Sequence, residues 1–305
     1  MLKTINNGVY PTMVTPFTAD NKIDYDAVER LLNWYAGKAD GIFAVCQSSE
    51  MFFMSFDERL ELMKFVVEHA PKGMSVVASG HTADSLDDQI EQAKAFIGTG
   101  IDAYVFIANR FAKAGEGDSV FLRNADCVTS RLSGVAFGVY ECPYPYKRLL
   151  SSETLGELAK SGRFAFLKDT CCDPEIIRRK LAAVNGTGLK IFNANSSSIL
   201  ESLQDGAAGF SGVMANFHPE LYRWLCQNFQ KEPEKARHVQ DFVGMASMAE
   251  LQIYPVNAKY HLSLEGLGIT TVTRSKEYAM TGNQRREIEQ MRGMTALLKQ
   301  YLGLE

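Results

Sequence analysis

Lys168 closes the apolar run "FAFLKD" where a buried strand would end, and Asp169 and Thr170 follow it directly. A lysine at the edge of a core strand gives up hydration, which costs free energy unless something compensates. Two readings of it stay open on position alone. It is one half of an ion pair with Asp169 or Glu141 at the rim, or it is a desolvated amine of lowered pKa that attacks a carbonyl and forms a Schiff base. The iminium would be an electron sink, so a neighbouring carbon–carbon bond could form or break. Adjacent strand residues face opposite ways, so Asp169 should point away from Lys168, which tilts the balance toward chemistry. Tyr140, at the end of "VAFGVYE", offers a phenol for the proton transfers of carbinolamine formation and collapse.

The elements that must position these groups alternate strictly. Short β-branched or aromatic runs such as "GVYPTMVTP", "GIFAVCQ", "MSVVASG" and "IDAYVFIA" are each followed by an amphipathic stretch. "GVAFGVYE", "FAFLKD", "LKIFNA" and "AGFSGVMAN" continue the pattern. Eight such strand–helix units before about residue 230 predict an α/β fold with a parallel sheet closed as a TIM (β/α)8 barrel. No G-x-G-x-x-G follows the first strand, which argues against a dinucleotide-binding sheet. The segments "PEKARHVQDFVGMASMAELQ", "VNAKYHLSLEGLG" and "NQRREIEQMRGMTALLKQYLG" predict three more helices. The expected division is a barrel over 1–230 and a C-terminal three-helix extension over 231–305.

Barrel active sites lie at the C-terminal ends of the strands. Those ends carry Thr15, the stretch Cys46 to Glu50, His81, Asn109 to Phe111, Tyr140 to Pro143, Lys168 to Thr170, Asn193 to Ser196 and Ser211 to Asn216. The set holds no cluster of His, Asp and Glu suited to a divalent metal, so neither a metal nor another cofactor is expected. His81 is expected to be a hydrogen-bonded structural residue, and Glu50 to order the hydroxyl-rich turn before it. The rim cysteines Cys46, Cys142, Cys171 and Cys172 read as small apolar filler more readily than as redox thiols.

The 305 residues, 46% hydrophobic, suffice for a large core, and a net charge of −4 argues against a nucleic-acid partner. The start of the chain lacks the apolar h-region of a signal peptide, and no stretch approaches the roughly 18 to 20 apolar residues of a membrane span. The six cysteines form neither a secreted disulfide framework nor a zinc ribbon. A cytoplasmic protein with reduced thiols, bound neither to membrane nor to nucleic acid, is expected.

With these residues placed, the chain resembles the dihydrodipicolinate synthase / N-acetylneuraminate lyase superfamily of class I, Schiff-base-forming aldolases. The likeness runs from "GVYPTMVTPF" to "YPVNAKYHLSLEGLG". "YECP" matches the family's Tyr-Asn-x-Pro on strand five, "FLKDT" its strand-six lysine, and "GFSGVMAN" its strand-eight motif. The resemblance implies that Lys168 is the Schiff-base lysine, Tyr140 the phenolic acid/base and Ser48, in "CQSSE", the hydroxyl that relays protons to the tyrosine. It implies that the amides of Ser48 and Ser49 cradle the carboxylate of a pyruvate-like 2-oxo acid. Gln47, Thr170, Arg110 and Ser211 are further candidates for substrate contact.

The departures bear on the substrate. Phe111 in "ANRF" stands where many synthases carry a tyrosine that reaches a neighbouring subunit's relay, with Arg110 beside it. Pro145 stands where they carry an arginine, with Lys147 and Arg148 close behind, and "ANSS" lacks the acid of the sialic acid lyases. The expected activity is an aldolase or lyase acting on pyruvate or a related 2-oxo acid with an aldehyde or sugar-acid co-substrate. The alternatives are a 4-hydroxy-tetrahydrodipicolinate synthase-like enzyme, a sugar-acid dehydratase and a non-catalytic 2-oxo acid binding protein. A homotetramer built from dimers is what the resemblance implies for assembly.

Overall fold

The structure is a computed structural model and describes residues 3–304. Its strands are β1 (Gly8–Val9), β2 (Gly41–Ala44), β3 (Ser75–Ala78), β4 (Ala103–Ile107), β5 (Ala136–Tyr140), β6 (Phe164–Asp169), β7 (Lys190–Asn193) and β8 (Gly209–Phe210). They pair in parallel in the order β1-β8-β7-β6-β5-β4-β3-β2. A parallel bridge between Thr12 and Phe43 joins the first strand segment to β2 and closes the ring. The expected (β/α)8 barrel is therefore the observed architecture. Its strands are nearly all buried on both faces, as the continuous apolar runs require. At the closure, Gly209 lies at positive φ, and any Cβ there would run into the backbone of Gly8. Only glycine lets β1 and β8 approach this closely.

The outer helices are α1 (Tyr25–Tyr35), α2 (Phe56–His69), α3 (Leu86–Ile97), α4 (Asp118–Thr129), α5 (Ser152–Lys160), α6 (Pro174–Val184), α7 (Ile199–Gln204) and α8 (Pro219–Asn228). Side-chain caps start many of them, which fixes where each loop leaves the rim. Ser55 and Glu58 form a reciprocal capping box on α2, and Asp173 with Pro174 starts α6. The helices α9 (Pro233–Ala246), α10 (Val256–Leu264) and α11 (Gly282–Leu302) follow, matching the three expected C-terminal helices. Between α9 and α10 the chain passes through a 3-10 turn, Ser247–Leu251.

Aromatic rings fill the barrel axis. Tyr10, Phe43, Phe166 and Phe192 pack with centroid separations of 4.6 to 5.9 Å. Phe166 and Lys168 are two residues apart on β6 and share its inward face. The aromatic cluster is thus the floor on which the Lys168 side chain rests.

Candidate active site

The strand ladder sets the centre of the site. Tyr140 on β5 and Lys168 on β6 are cross-strand partners, so their side chains stand next to each other on one face. Lys168 Nζ lies 4.3 Å from the Tyr140 ring centroid and 5.9 Å from that of Phe43, and the residue is only 3% exposed. Among the described residues it has no carboxylate at ion-pair distance. Burial pulls its pKa below the ordinary lysine value, and the nearby Cys46, Cys142 and Glu250 oppose that only in part.

The rim carboxylates have another partner. Lys180 of α6 places Nζ 2.5 Å from Glu141 Oε1 and 2.6 Å from Asp169 Oδ2, and all three side chains are fully buried. Glu141 also accepts from the amides of Leu150 and Thr170 at 2.8 and 2.9 Å. Burial and the neighbouring Asp169 push the Glu141 carboxyl up, against the pull of Lys180. The ion-pair reading of Lys168 is thereby corrected. Alternation along β6 sends Asp169 outward to α6 while Lys168 points inward, so the carboxylates satisfy a different lysine.

Tyr140 OH donates to Gln47 Oε1 at 3.2 Å, and the Cys142 thiol meets the same oxygen at 3.3 Å. Burial holds the Tyr140 phenol well above its ordinary pKa, with Cys142 and Cys46 adding to the effect, so it is a proton donor at neutral pH. Burial also pushes the Cys142 thiol up to about 11 and that of Cys171 up to about 12, which keeps both protonated. Ser48 Oγ donates to Thr12 Oγ1 at 3.1 Å and not to Tyr140, so the side chain next to the Tyr140 hydroxyl is Gln47.

The turn after β2 is a 3-10 helix, Gln47–Ser49. The Ser49 amide donates to the Cys46 carbonyl at 3.0 Å and its hydroxyl to the Met13 carbonyl at 2.6 Å. The left-handed conformations of this stretch fall on Val45 and Glu50, with φ of 43° and 63°, and not on Ser49. Glu50 ties the turn down. It pairs with Lys259 at 2.6 Å and accepts from Thr273 Oγ1 and the amides of Arg274 and Ser275 at 2.5 to 2.8 Å. Burial alone would raise the Glu50 carboxyl, but Lys259 and these donors hold it below the usual range. His81 is fully buried, and its Nε2 accepts from the Ile107 amide at 3.1 Å.

A cavity of about 440 Å³ opens over Lys168. Of the sequence candidates, Lys168, Tyr140 and Thr170 line it. Thr170 commits its hydroxyl to the Glu141 carbonyl at 2.7 Å. Gln47, Ser48 and Ser49 stand in the layer behind. Ser211 is buried, with its hydroxyl on the Tyr10 carbonyl at 3.1 Å. Arg110 lies elsewhere, ion-paired to Asp84 and lining a separate groove with Lys113 and Glu116. Phe111 is fully buried and packs on Phe106 and Phe121 at 4.9 and 5.5 Å, so its ring faces the α4 side of the core. Lys147 reaches the cavity and donates to the Thr170 carbonyl at 2.9 Å, whereas Arg148 turns to Asp118.

The remaining wall was not legible in the sequence. Met248, Glu250, Leu251 and Tyr254 come from the connection between α9 and α10 and cover the cavity from the side. The one local signal there is Tyr254-Pro255, a helix-breaking pair that marks a change of chain direction. Burial raises the Glu250 carboxyl, with Lys168 pulling the other way. Among the described residues no group of three His, Cys, Asp or Glu side chains could hold a metal ion. Among the described residues no helix is long and apolar enough to cross a membrane.

The profile of the dihydrodipicolinate synthetase family matches residues 6–291. The chain belongs to that family. Membership places this dihydrodipicolinate synthetase family protein among the class I, pyruvate-dependent lyases. It is 25% identical over 263 residues to the 4-hydroxy-tetrahydrodipicolinate synthase of Pseudoalteromonas atlantica, covering 84% of this chain and 88% of that one. It is 25% identical over 260 residues to the synthase of Clostridium perfringens, covering 84% and 87%. Among solved structures, a monomeric dihydrodipicolinate synthase variant superposes with a TM-score of 0.87 at 19% identity, over 96% of this chain and 98% of the other. YagE, a prophage protein of E. coli K12 solved with pyruvate, gives 0.84 at 18% identity over the same shares. At these identities the structural likeness speaks for the fold.

Proposed function

We propose that this family member is a Schiff-base aldolase or lyase that joins pyruvate or a related 2-oxo acid to an aldehyde-type partner, or cleaves the product. The observation that carries this reading is Lys168: buried, without a counter-ion among the described residues, and beside the Tyr140 phenol under an open cavity. A neutral amine at this position attacks C2 of the 2-oxo acid, and Tyr140 passes a proton from the nitrogen to the new hydroxyl. A proton delivered to that hydroxyl by a phenol of the cavity wall lets it leave as water and leaves the iminium, and return of the C3 proton to that phenolate gives the enamine that adds to the aldehyde. The substrate carboxylate would take the Ser48 amide at the turn after β2. The Ser49 amide is already engaged within that turn.

The partner end of the cavity combines Lys147, Asn195 and Ser197 with the apolar Pro143, Val213, Met248 and Leu251. This supports a partner with few charges and at most one carboxylate, which Lys147 would meet. Borohydride reduction in the presence of pyruvate, followed by peptide mass spectrometry, tests the assignment. A reduced adduct on Lys168 is expected in the wild type and none in Lys168→Ala. An unmodified wild-type Lys168 would rule out pyruvate imine chemistry. A panel of aldehydes, scored by pyruvate consumption, then defines the partner.

A further inference from the structure

Tyr254 is the second phenol on the wall of the Lys168 cavity, and it arrives from a part of the chain outside the strands. Its ring belongs to the connection between α9 and α10, yet its hydroxyl reaches the first strand segment and the turn after β2. The oxygen accepts from Asn216 Nδ2 at 3.2 Å and stands beside the hydroxyls of Ser48 and Thr12, which are themselves bonded at 3.1 Å. Asn216 is fully determined. Its Oδ1 accepts from Tyr35 OH at 2.6 Å, while Nδ2 also donates to the carbonyls of Thr12 and Val213 at 2.9 and 3.0 Å. An amide facing two carbonyls must present nitrogen there, and an NH2 with two N–H groups shared over three oxygens has no lone pair to offer, so the proton of Tyr254 cannot go to Asn216 and is free to turn to Ser48 or the cavity. Tyr140 is held separately, by Gln47. The two phenols therefore hang on independent supports around one amine.

We propose that Tyr254 is a catalytic acid–base residue of this site, which with Ser48 forms a hydroxyl relay contained within a single chain. The inference rests on the reading of Lys168 as the imine-forming amine. Tyr140 handles the addition step, moving one proton from nitrogen to oxygen and regaining its own. Tyr254 then gives its proton to the carbinolamine hydroxyl, the carbon–oxygen bond breaks, and water leaves behind the iminium. The phenolate so formed takes the C3 proton, the carbon–hydrogen pair becomes the enamine double bond, and the phenol is restored. One proton is given and one regained, and no outside co-reactant is needed. Phe111 has no part in this relay, because its ring is packed into the core on the α4 side.

The test follows exchange of the pyruvate C3 protons in D2O by NMR, alongside borohydride trapping. Tyr254→Phe keeps the ring and removes only the hydroxyl. It should exchange about 10²- to 10³-fold more slowly than wild type, within the usual range for a lost acid–base group, and still give trapped imine on Lys168 after equilibration. Half-saturation by pyruvate in the trapping assay should stay within about twofold of wild type, so that the loss falls on kcat alone, a split that a merely structural role would not produce. Exchange within about twofold of wild type would overturn the proposal. A Phe111→Tyr change added to Tyr254→Phe should restore nothing, and recovery there would likewise count against it. Co-expressed Tyr254→Phe and Lys168→Ala chains should show no regained exchange, whereas regained exchange would mean that the relay crosses between chains. A wild type that traps no imine at all would overturn the Lys168 reading instead, so the two failures are separable.

Discussion

Lys168 and Lys180 are both enclosed lysines, and their surroundings give them opposite character. Lys180 faces two buried carboxylates at 2.5 and 2.6 Å, which raise its pKa although burial works against them. Lys168 faces aromatic rings, and burial lowers its pKa. Removing a buried cation from its carboxylates leaves their charge uncompensated, whereas removing an unpaired amine relieves a desolvation cost. Lys180→Met should therefore lower unfolding stability by about 3–5 kcal/mol in a urea titration. Lys168→Met should be no less stable than wild type in the same titration, even with its proposed chemistry abolished. An equal loss for both would mean that Lys168 also has a structural counter-charge.

At the scale of elements, the turn after β2 and the loop around 270–275 are one unit joined through Glu50. The Glu50 carboxylate takes Lys259, the Thr273 hydroxyl and the amides of Arg274 and Ser275. Arg274 extends the link to Glu58 at the start of α2, at 2.8 Å. Gln47 and Ser48 sit on this turn, so its rigidity positions the groups that hold Tyr140 and neighbour Tyr254. Glu50→Gln would leave Lys259 buried beside a neutral amide, at a cost of about 3 kcal/mol or more. Hydrogen exchange should show the Arg274 and Ser275 amides losing protection in that variant by more than amides of β5 and β6. Uniform change across the molecule would indicate simple global destabilisation.

The molecule as a whole carries a pH dependence in its buried imidazoles. Burial pulls His81 and His218 down to about 3 and His261 to about 4, from an ordinary 6.5. Below pH 6.5 the unfolded chain binds protons that the folded chain refuses, so stability falls as pH falls toward those values. Between pH 7 and 5.5 each of the three should cost about 1 kcal/mol, since a full pH unit of mismatch is worth about 1.4 kcal/mol. Carboxylates held low, such as Glu50 and Glu58, add to the loss only on further acidification, as pH drops below their unfolded values. Urea midpoints at pH 7 and 5.5 measure the sum, and His218→Gln should flatten the difference by about a third. An unchanged difference in His218→Gln would show that this imidazole is hydrated in solution, a comparison in which the raised carboxyls of Glu141 and Glu250, which act in the opposite sense, cancel.

Much of this architecture was legible in the sequence because it is periodic. Strand runs alternating with amphipathic stretches determine a closed parallel barrel, and with it which residues end strands on the catalytic rim. Lys168 beside Tyr140 follows from that alone, since neighbouring strands of a parallel ladder align their ends. The two-residue alternation of β6 likewise determined that Asp169 faces away from Lys168. What only the tertiary structure decided is which distant side chain meets each of these groups. Lys180 takes both rim carboxylates, Gln47 and not Ser48 holds Tyr140, Arg110 turns to Asp84, and Phe111 enters the core. Tyr254 and Glu250 reach the cavity from a connection between helices that has no repeat to reveal its path. Local periodicity sets the face from which a residue points. Its partner depends on the packing of segments far apart in the chain, and no short-range pattern records that.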